Sequence, residues 1–299
     1  MTIDAEELPS SIEILSEQFA LTVDPAHGGV IRRFAMHDNG AVTNLLRPSP
    51  PDSTDPLDSG CFPLVPFSNR IALGRFEWGG RTIRLPANIE GGHAIHGQGW
   101  QSAWKVGQLT ETSVTIRHDH APGAWPFAYR AEIQYTLNQD GLTASISVEN
   151  RGSETKPAGL GFHPYFLRPT TGGLLTNVNG VWFNGVDMLP TDHADIEAPN
   201  DLLDGWLPKG TDFLDHCFTG WSGHAEITVP GTNKTLRLTA SDNLDKFVVY
   251  APPDADFFCA EPVSNINNAV NRRGSTETGL VDLAAGAVMQ AWMRLQIVD

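Results

Sequence analysis

The sequence predicts an all-β protein built as a large antiparallel β-sandwich, and three observations carry that prediction. Apolar and polar residues alternate strictly along several segments, most plainly 131–137 and 142–149, as an antiparallel sheet with one buried face requires. No apolar period of 3.6 residues persists beyond about two turns. Glycine (29) and proline (21) are frequent among the 299 residues, which implies many turns and short strands.

The elements follow in order. Residues 1–11 are polar and expected to be flexible, leaving 12–299 as a single β-sandwich domain. Phe19-Ala20-Leu21-Thr22-Val23 reads as a strand, 24–29 as a turn and 30–36 as the returning strand. Residues 47–60, rich in Pro, Asp and Ser, make a loop of a length usually found in functional or disordered segments. Phe76-Glu77-Trp78, Gly79-Gly80 and Arg81-Thr82-Ile83-Arg84-Leu85 make a hairpin with a two-glycine turn. Asn138-Gln139-Asp140-Gly141 connects the two alternating strands, and 227–229 and 236–240 flank a Pro-Gly-Thr-Asn turn. Segments 246–251 and 289–298 complete the set, the last with apolar residues at 289, 291, 293, 295 and 297.

Composition narrows the function. A net charge of −15 argues against nucleic acid, which needs a basic face. A neutral ligand fits that balance best. Cys61, Cys217 and Cys259 are odd in number and widely spaced, without a CxxC, and read as free thiols in a reducing compartment. The acidic N-terminal residues lack an apolar signal-like stretch. No run of eighteen apolar residues is present, so no membrane span is expected and the cytoplasm is the default location.

Several segments could carry chemistry. In Gly159-Leu160-Gly161-Phe162-His163-Pro164-Tyr165-Phe166, a histidine held among rings could donate or accept a proton near neutral pH, or be a core histidine. Asn69-Arg70-Ile71 follows the long loop, and an arginine there can present a planar fork to hydroxyls or form a surface ion pair. His93 and His96 invite a metal reading, but zinc needs at least three protein ligands and the local spacing supplies no third. His96 before Gly97, near Trp100 and Trp104, suits a polar group beside aromatic walls. Asp212-Phe213-Leu214-Asp215-His216 puts acidic and basic groups close along the chain. Glu261 lies among apolar neighbours before Pro262, and a buried carboxyl with a raised pKa suits a general base. His118-Asp119-His120 is expected to be solvated.

Taken in order, these segments resemble the aldose 1-epimerase (galactose mutarotase) family. The resemblance runs through Asn69-Arg70-Ile71 with Gly74, His96-Gly97, Gly161-Phe162-His163-Pro164-Tyr165-Phe166, Leu214-Asp215-His216, and Glu261-Pro262 with Asn268-Ala269-Val270-Asn271. It covers roughly residues 12–298. It implies a supersandwich fold and interconversion of the α and β anomers of free aldoses, with no cofactor or metal. It further implies Glu261 as general base, His163 as general acid, and Arg70, His96 and Asp215, with Asn69 beside them, as groups that hold the sugar. The base and acid are expected on opposite sides of the ring.

Gln98-Gly99-Trp100-Gln101 departs from the family pattern after His-Gly, which bears on the choice of sugar. Two other readings stay open. A hexose-6-phosphate mutarotase would need a basic pocket, for which Arg32, Arg33, Arg81, Arg84, Arg272 and Arg273 are candidates. A non-catalytic sugar-binding module would keep Arg70 and His96 but would not need both His163 and Glu261. The sequence is silent on oligomeric state.

Overall fold

The structure, a computed structural model, describes residues 11–170, 173–197, 202, 214–273 and 278–298. Two large antiparallel sheets dominate it. The larger has eleven strands in the order Ile12–Leu15, Phe19–Asp24, Val30–Asp38, Cys61–Leu64, Gly161–Leu167, Phe257–Val263, Lys246–Ala251, Leu214–Thr219, Gly180–Asn184 and Pro190–Asp195, with Ala41–Asn44 beside Val30–Asp38. The smaller has eight: Lys105–Leu109, Ser113–His120, Tyr129–Asn138, Gly141–Asn150, Val288–Val298, Thr235–Ala240, His224–Thr228 and Leu174–Thr176.

The alternation seen in the sequence belongs to the smaller sheet. Register sets Ile133 opposite Ile146, Ala144 opposite Met293 and Leu238 opposite Leu295. These inward residues join Phe34, Phe162, Phe166, Val249 and Phe258 of the larger sheet in one hydrophobic core. The larger sheet is buried on its other face too. There Phe62, Tyr165, Cys217, Val248 and Cys259 form a second apolar cluster. Strands covered on both faces need no polar side, which is why Gly161–Leu167 and Phe257–Val263 are apolar apart from His163 and Glu261.

Turn chemistry holds at the two hairpins. Arg75–Trp78 and Arg81–Arg84 pair around Gly79 and Gly80, whose φ values of 56° and 74° suit glycine and few other residues. The central hairpin is tighter than the four-residue connection expected. Tyr129–Asn138 and Gly141–Asn150 are joined by Gln139 and Asp140 alone.

The 47–60 loop is ordered, because two arginines bind its carbonyls. Arg32 donates to Pro50, Pro51 and Ser53 at 2.8, 3.0 and 2.6 Å, and Arg47 donates to Leu57 and Ser59. The solvated reading of His118-Asp119-His120 holds for Asp119 only. The two histidines are half-buried in the strand Ser113–His120. His118 lies against Trp104 and His120 is stacked on Tyr129 at 4.8 Å. Burial lowers the pKa of both imidazoles. Residues 1–10 of the N-terminal segment lie outside the described residues. All three cysteines are free and buried. Among the described residues no helix is long and apolar enough to cross a membrane.

Candidate active site

Register brings together residues that are distant in sequence. Gly161–Leu167 pairs with Phe257–Val263, setting Gly161 opposite Val263 and Tyr165 opposite Cys259. His163 and Glu261 therefore stand directly across from each other. The two-residue period of a strand turns Phe162 and Phe166 into the core and His163 to the opposite face. His163 Nε2 lies 3.2 Å from Glu261 Oε1. The imidazole stacks against the rings of Phe62 and Tyr165, at centroid distances of 4.3 and 4.8 Å. His163 sits inside a central strand of the larger sheet.

Asp215 joins the same face through two further ladders, opposite Tyr250, which is opposite Cys259. Its Oδ2 lies 3.7 Å from Arg70 Nη2. Arg70 is carried by the short strand Arg70–Ile71, which pairs with Ala94–Ile95. The adjoining residues Asn69 and His96 have positive φ values of 65° and 62°. The His96 N–H donates to the Asn69 carbonyl at 3.2 Å, and the Asn69 N–H donates to His96 Nδ1 at 3.1 Å. A neutral ring that accepts at Nδ1 carries its proton on Nε2. The next residue must be glycine. Gly97 has φ 71°, and a Cβ there would lie 2.2 Å from the Val65 carbonyl oxygen.

These groups line one pocket of about 350 Å³ that contains Asn69, Arg70, His96, His163, Asp215 and Glu261. Its walls include Leu57, Phe62, Trp100, Tyr165, Tyr250 and Phe257. Trp100 is the aromatic wall expected beside His96, whereas Leu57, Tyr250 and Phe257 were not expected in the lining. Trp100 stands beside the His-Gly motif. The others reach the site only through loop position and strand register.

The supporting residues were also partly hidden. Asn69 was expected to hold sugar, but its Nδ2 donates to the Asn265 carbonyl at 2.6 Å. Asn265 in turn accepts from Ser68 Oγ at 2.8 Å and donates to the Ser68 carbonyl at 3.0 Å. Asn267 Oδ1 accepts from the Arg70 N–H, and Asn268 Oδ1 from the Ala72 N–H. A run of asparagines thus pins the segment that carries Arg70 and His96's partner.

Other candidates stand apart. His93 Nδ1 accepts from the Leu73 N–H at 3.0 Å and its Nε2 faces the Asp187 carbonyl, so it is structural. His216 alternates to the opposite side of its strand from Asp215, and Asp212 lies outside the described residues. The spacing argument against a third metal ligand needs correction. His96, His163 and Glu261 have ligand atoms within 4.8 Å of one another, the third supplied by a neighbouring strand. Metal-bound histidines pass their second ring N–H to an acceptor. His96 Nδ1 instead faces the Asn69 N–H. That donor set suits proton transfer better than metal binding.

Burial governs the ionisation. The Glu261 carboxyl is raised well above its usual pKa by burial and by nearby Asp215, against the pull of Arg70. His163 is lowered to about 3 by burial, helped by Arg47 and Arg70. Asp215 is raised by burial and drawn back by Arg70. Burial also lowers His96 well below its usual value. The Glu261–His163 pair thus holds one exchangeable proton over a wide pH range. The dry surroundings favour a carboxylic acid donating to a neutral imidazole.

The chain resembles known proteins along almost its whole length. YphB, an uncharacterized protein of Escherichia coli K12, is 31% identical over 280 residues, covering 90% of this chain and 93% of that one. A crystal structure of an E. coli K12 protein, provisionally described as an aldose 1-epimerase, superposes with a TM-score of 0.84 at 30% identity, covering 96% and 98% of the two chains. A galactose mutarotase-like protein from Clostridium acetobutylicum shares the fold, with a TM-score of 0.82, 19% identity and coverage of 97% and 95%. The sequence pattern of the family described as Aldose 1-epimerase matches residues 12–296. The chain belongs to the aldose 1-epimerase family.

Proposed function

We propose that this protein is a mutarotase that interconverts the α and β anomers of a free, neutral aldose. The observation that carries the reading is the buried contact of His163 with Glu261, 3.2 Å apart in the floor of the pocket. Ring opening removes the proton from the C1 hydroxyl, breaks the bond from C1 to the ring oxygen, and protonates that oxygen. Glu261 as carboxylate takes the first proton, and His163 as imidazolium gives the second. An open-chain aldehyde forms, and rotation about C1–C2 presents its other face. Reversal of both transfers then closes the ring as the other anomer. Each group supplies about 10²–10⁴-fold. No other co-reactant is consumed.

The side-by-side geometry replaces the expectation of an acid and a base on opposite sides of the ring. Both reacting oxygens are bonded to the same carbon, so neighbouring groups serve them. Ring opening also leaves Glu261 protonated and His163 neutral, the arrangement that burial favours. Arg70, Asp215 and the Nε2–H of His96 hold sugar hydroxyls, with Asn69 fixing His96.

A neutral substrate is favoured over a phosphosugar. Among the described residues lining the pocket, Arg70 alone carries a permanent positive charge, and it faces Asp215. The other arginines considered are engaged elsewhere. Arg32 binds loop carbonyls, Arg33 donates to Asn44, Arg81 pairs with Glu154, Arg272 donates to the Pro190 carbonyl and Arg273 pairs with Asp282. Arg84 lies on an exposed hairpin strand. Polarimetry on fresh α-glucose and α-galactose tests the proposal. Equilibration faster than buffer is expected with at least one of them. Acceleration of glucose 6-phosphate alone would replace the neutral-sugar reading, and acceleration of none of the three would overturn mutarotation of these hexoses.

A further inference from the structure

Arg47 is outside the pocket but touches two of its walls. Its guanidinium lies over the ring of Tyr165 at 3.9 Å and over that of Phe257 at 4.5 Å. The same group donates to the Leu57 and Ser59 carbonyls. Tyr165 lies flat against His163, and Leu57 lines the pocket. One planar cation therefore links the long loop, the aromatic wall and the proton-transferring imidazole. Stacking and a fork of donors are combined in arginine and not in lysine.

We infer that Arg47 is a positioning residue for the pocket, tying the 48–60 segment and Leu57 to the Tyr165 ring that orients His163. The inference rests on the mutarotase reading for its kinetic consequence, but its structural half stands apart. Without Arg47 the carbonyls of Leu57 and Ser59 lose their donor. Arg32 still holds Pro50, Pro51 and Ser53, so only the half of the loop nearest the pocket is released. Tyr165 loses the group that covers its outer face, and its ring is freer to leave His163. The first effect weakens sugar binding, and the second lowers turnover.

The test compares wild type with Arg47→Ala and Arg47→Lys by anomerisation kinetics and by hydrogen exchange of the 48–60 segment. Arg47→Ala is expected to raise KM about tenfold, with a smaller fall in kcat, while the thermal midpoint stays within a few degrees. Amides at 57–59 should exchange faster, and those of Asp52 and Ser53 should not. Arg47→Lys should restore part of the exchange protection but not the KM. Unchanged KM and exchange in Arg47→Ala would overturn the inference. So would a fall in kcat and exchange protection spread evenly over the chain, which marks a general loss of stability. If wild type anomerises no sugar, the function fails, while the exchange experiment still decides whether Arg47 holds the loop.

Discussion

Glu261 and His163 compete for one proton in a place with little water, and their chemistry follows from that competition. Below its usual pKa a glutamic acid is uncharged in both folded and unfolded chains. As pH rises, the unfolded carboxyl ionises freely, but the folded one keeps its proton because its pKa is raised. The folded state then binds more protons than the unfolded, so this group lowers stability with rising pH. Glu261→Gln is therefore expected to melt with wild type near pH 4 and above wild type at pH 8, while losing about 10²–10⁴-fold in rate. Equal melting of the two proteins at pH 8 would contradict the burial argument. The rate itself should stay level from mildly acidic to neutral pH and fall on the alkaline side, where the pair loses its proton. Lys156 supplies a second case. It is fully buried, its Nζ has no hydrogen-bond partner, and it lies 4.8 Å from the Tyr129 ring centroid. Burial lowers its pKa to about 7, against the pull of Glu149. The unfolded lysine binds its proton more tightly, so the penalty is complete below pH 7 and gone above the ordinary lysine range. Lys156→Met should stabilise the protein by about 1–3 kcal/mol at pH 6, and by less at pH 10, as read by denaturant unfolding.

At the scale of the element, strand register is what makes a site from scattered residues. Its opposing pairs set Glu261 across from His163 and carry Asp215 to the same face. Nothing in the spacing of the sequence specifies which strands are neighbours. This is why His163 alone reads more readily as a core residue than as a catalyst, and why the third member of the His96 cluster could not be found from local spacing. The smaller sheet was legible because one of its faces is solvated and its strands alternate. The central strands Gly161–Leu167 and Phe257–Val263 of the larger sheet, covered on both faces, show no such alternation. Arg70, His96, His163, Asp215 and Glu261, which line one pocket, were singled out because family motifs supplied their order. Leu57 and Asn265 carry no motif and were missed. Asn265 is also where the element scale makes its own prediction. Its side chain serves Ser68 and Ile266, and its carbonyl accepts from Asn69. Asn265→Ala leaves several buried groups without partners and should cost about 1–3 kcal/mol. Sugar affinity should fall as well, since the Asn69–His96 link rests on that network. Full affinity at reduced stability would limit Asn265 to a structural role.

On the scale of the whole molecule, one sheet is shared between two tasks. Its inner face packs on the smaller sheet through the main core, and its outer face is the floor of the pocket. The core thereby fixes every second residue of the central strands, and the residues between are rigidly presented to a ligand. Rigidity matters because proton transfer needs short, well-aligned contacts. The acidic surface, with a net charge of −15, adds no attraction for anions and leaves a neutral sugar unaffected. In the proposed function, the buried His163–Glu261 pair exchanges anomers by two coupled proton transfers. Saturation-transfer NMR of the anomeric protons of an aldose tests it at equilibrium, with no net reaction needed. Wild-type protein is expected to produce α–β exchange, and His163→Asn and Glu261→Gln, both folded, to reduce it by about 10²–10⁴-fold. Full exchange in either variant would contradict the proposed function.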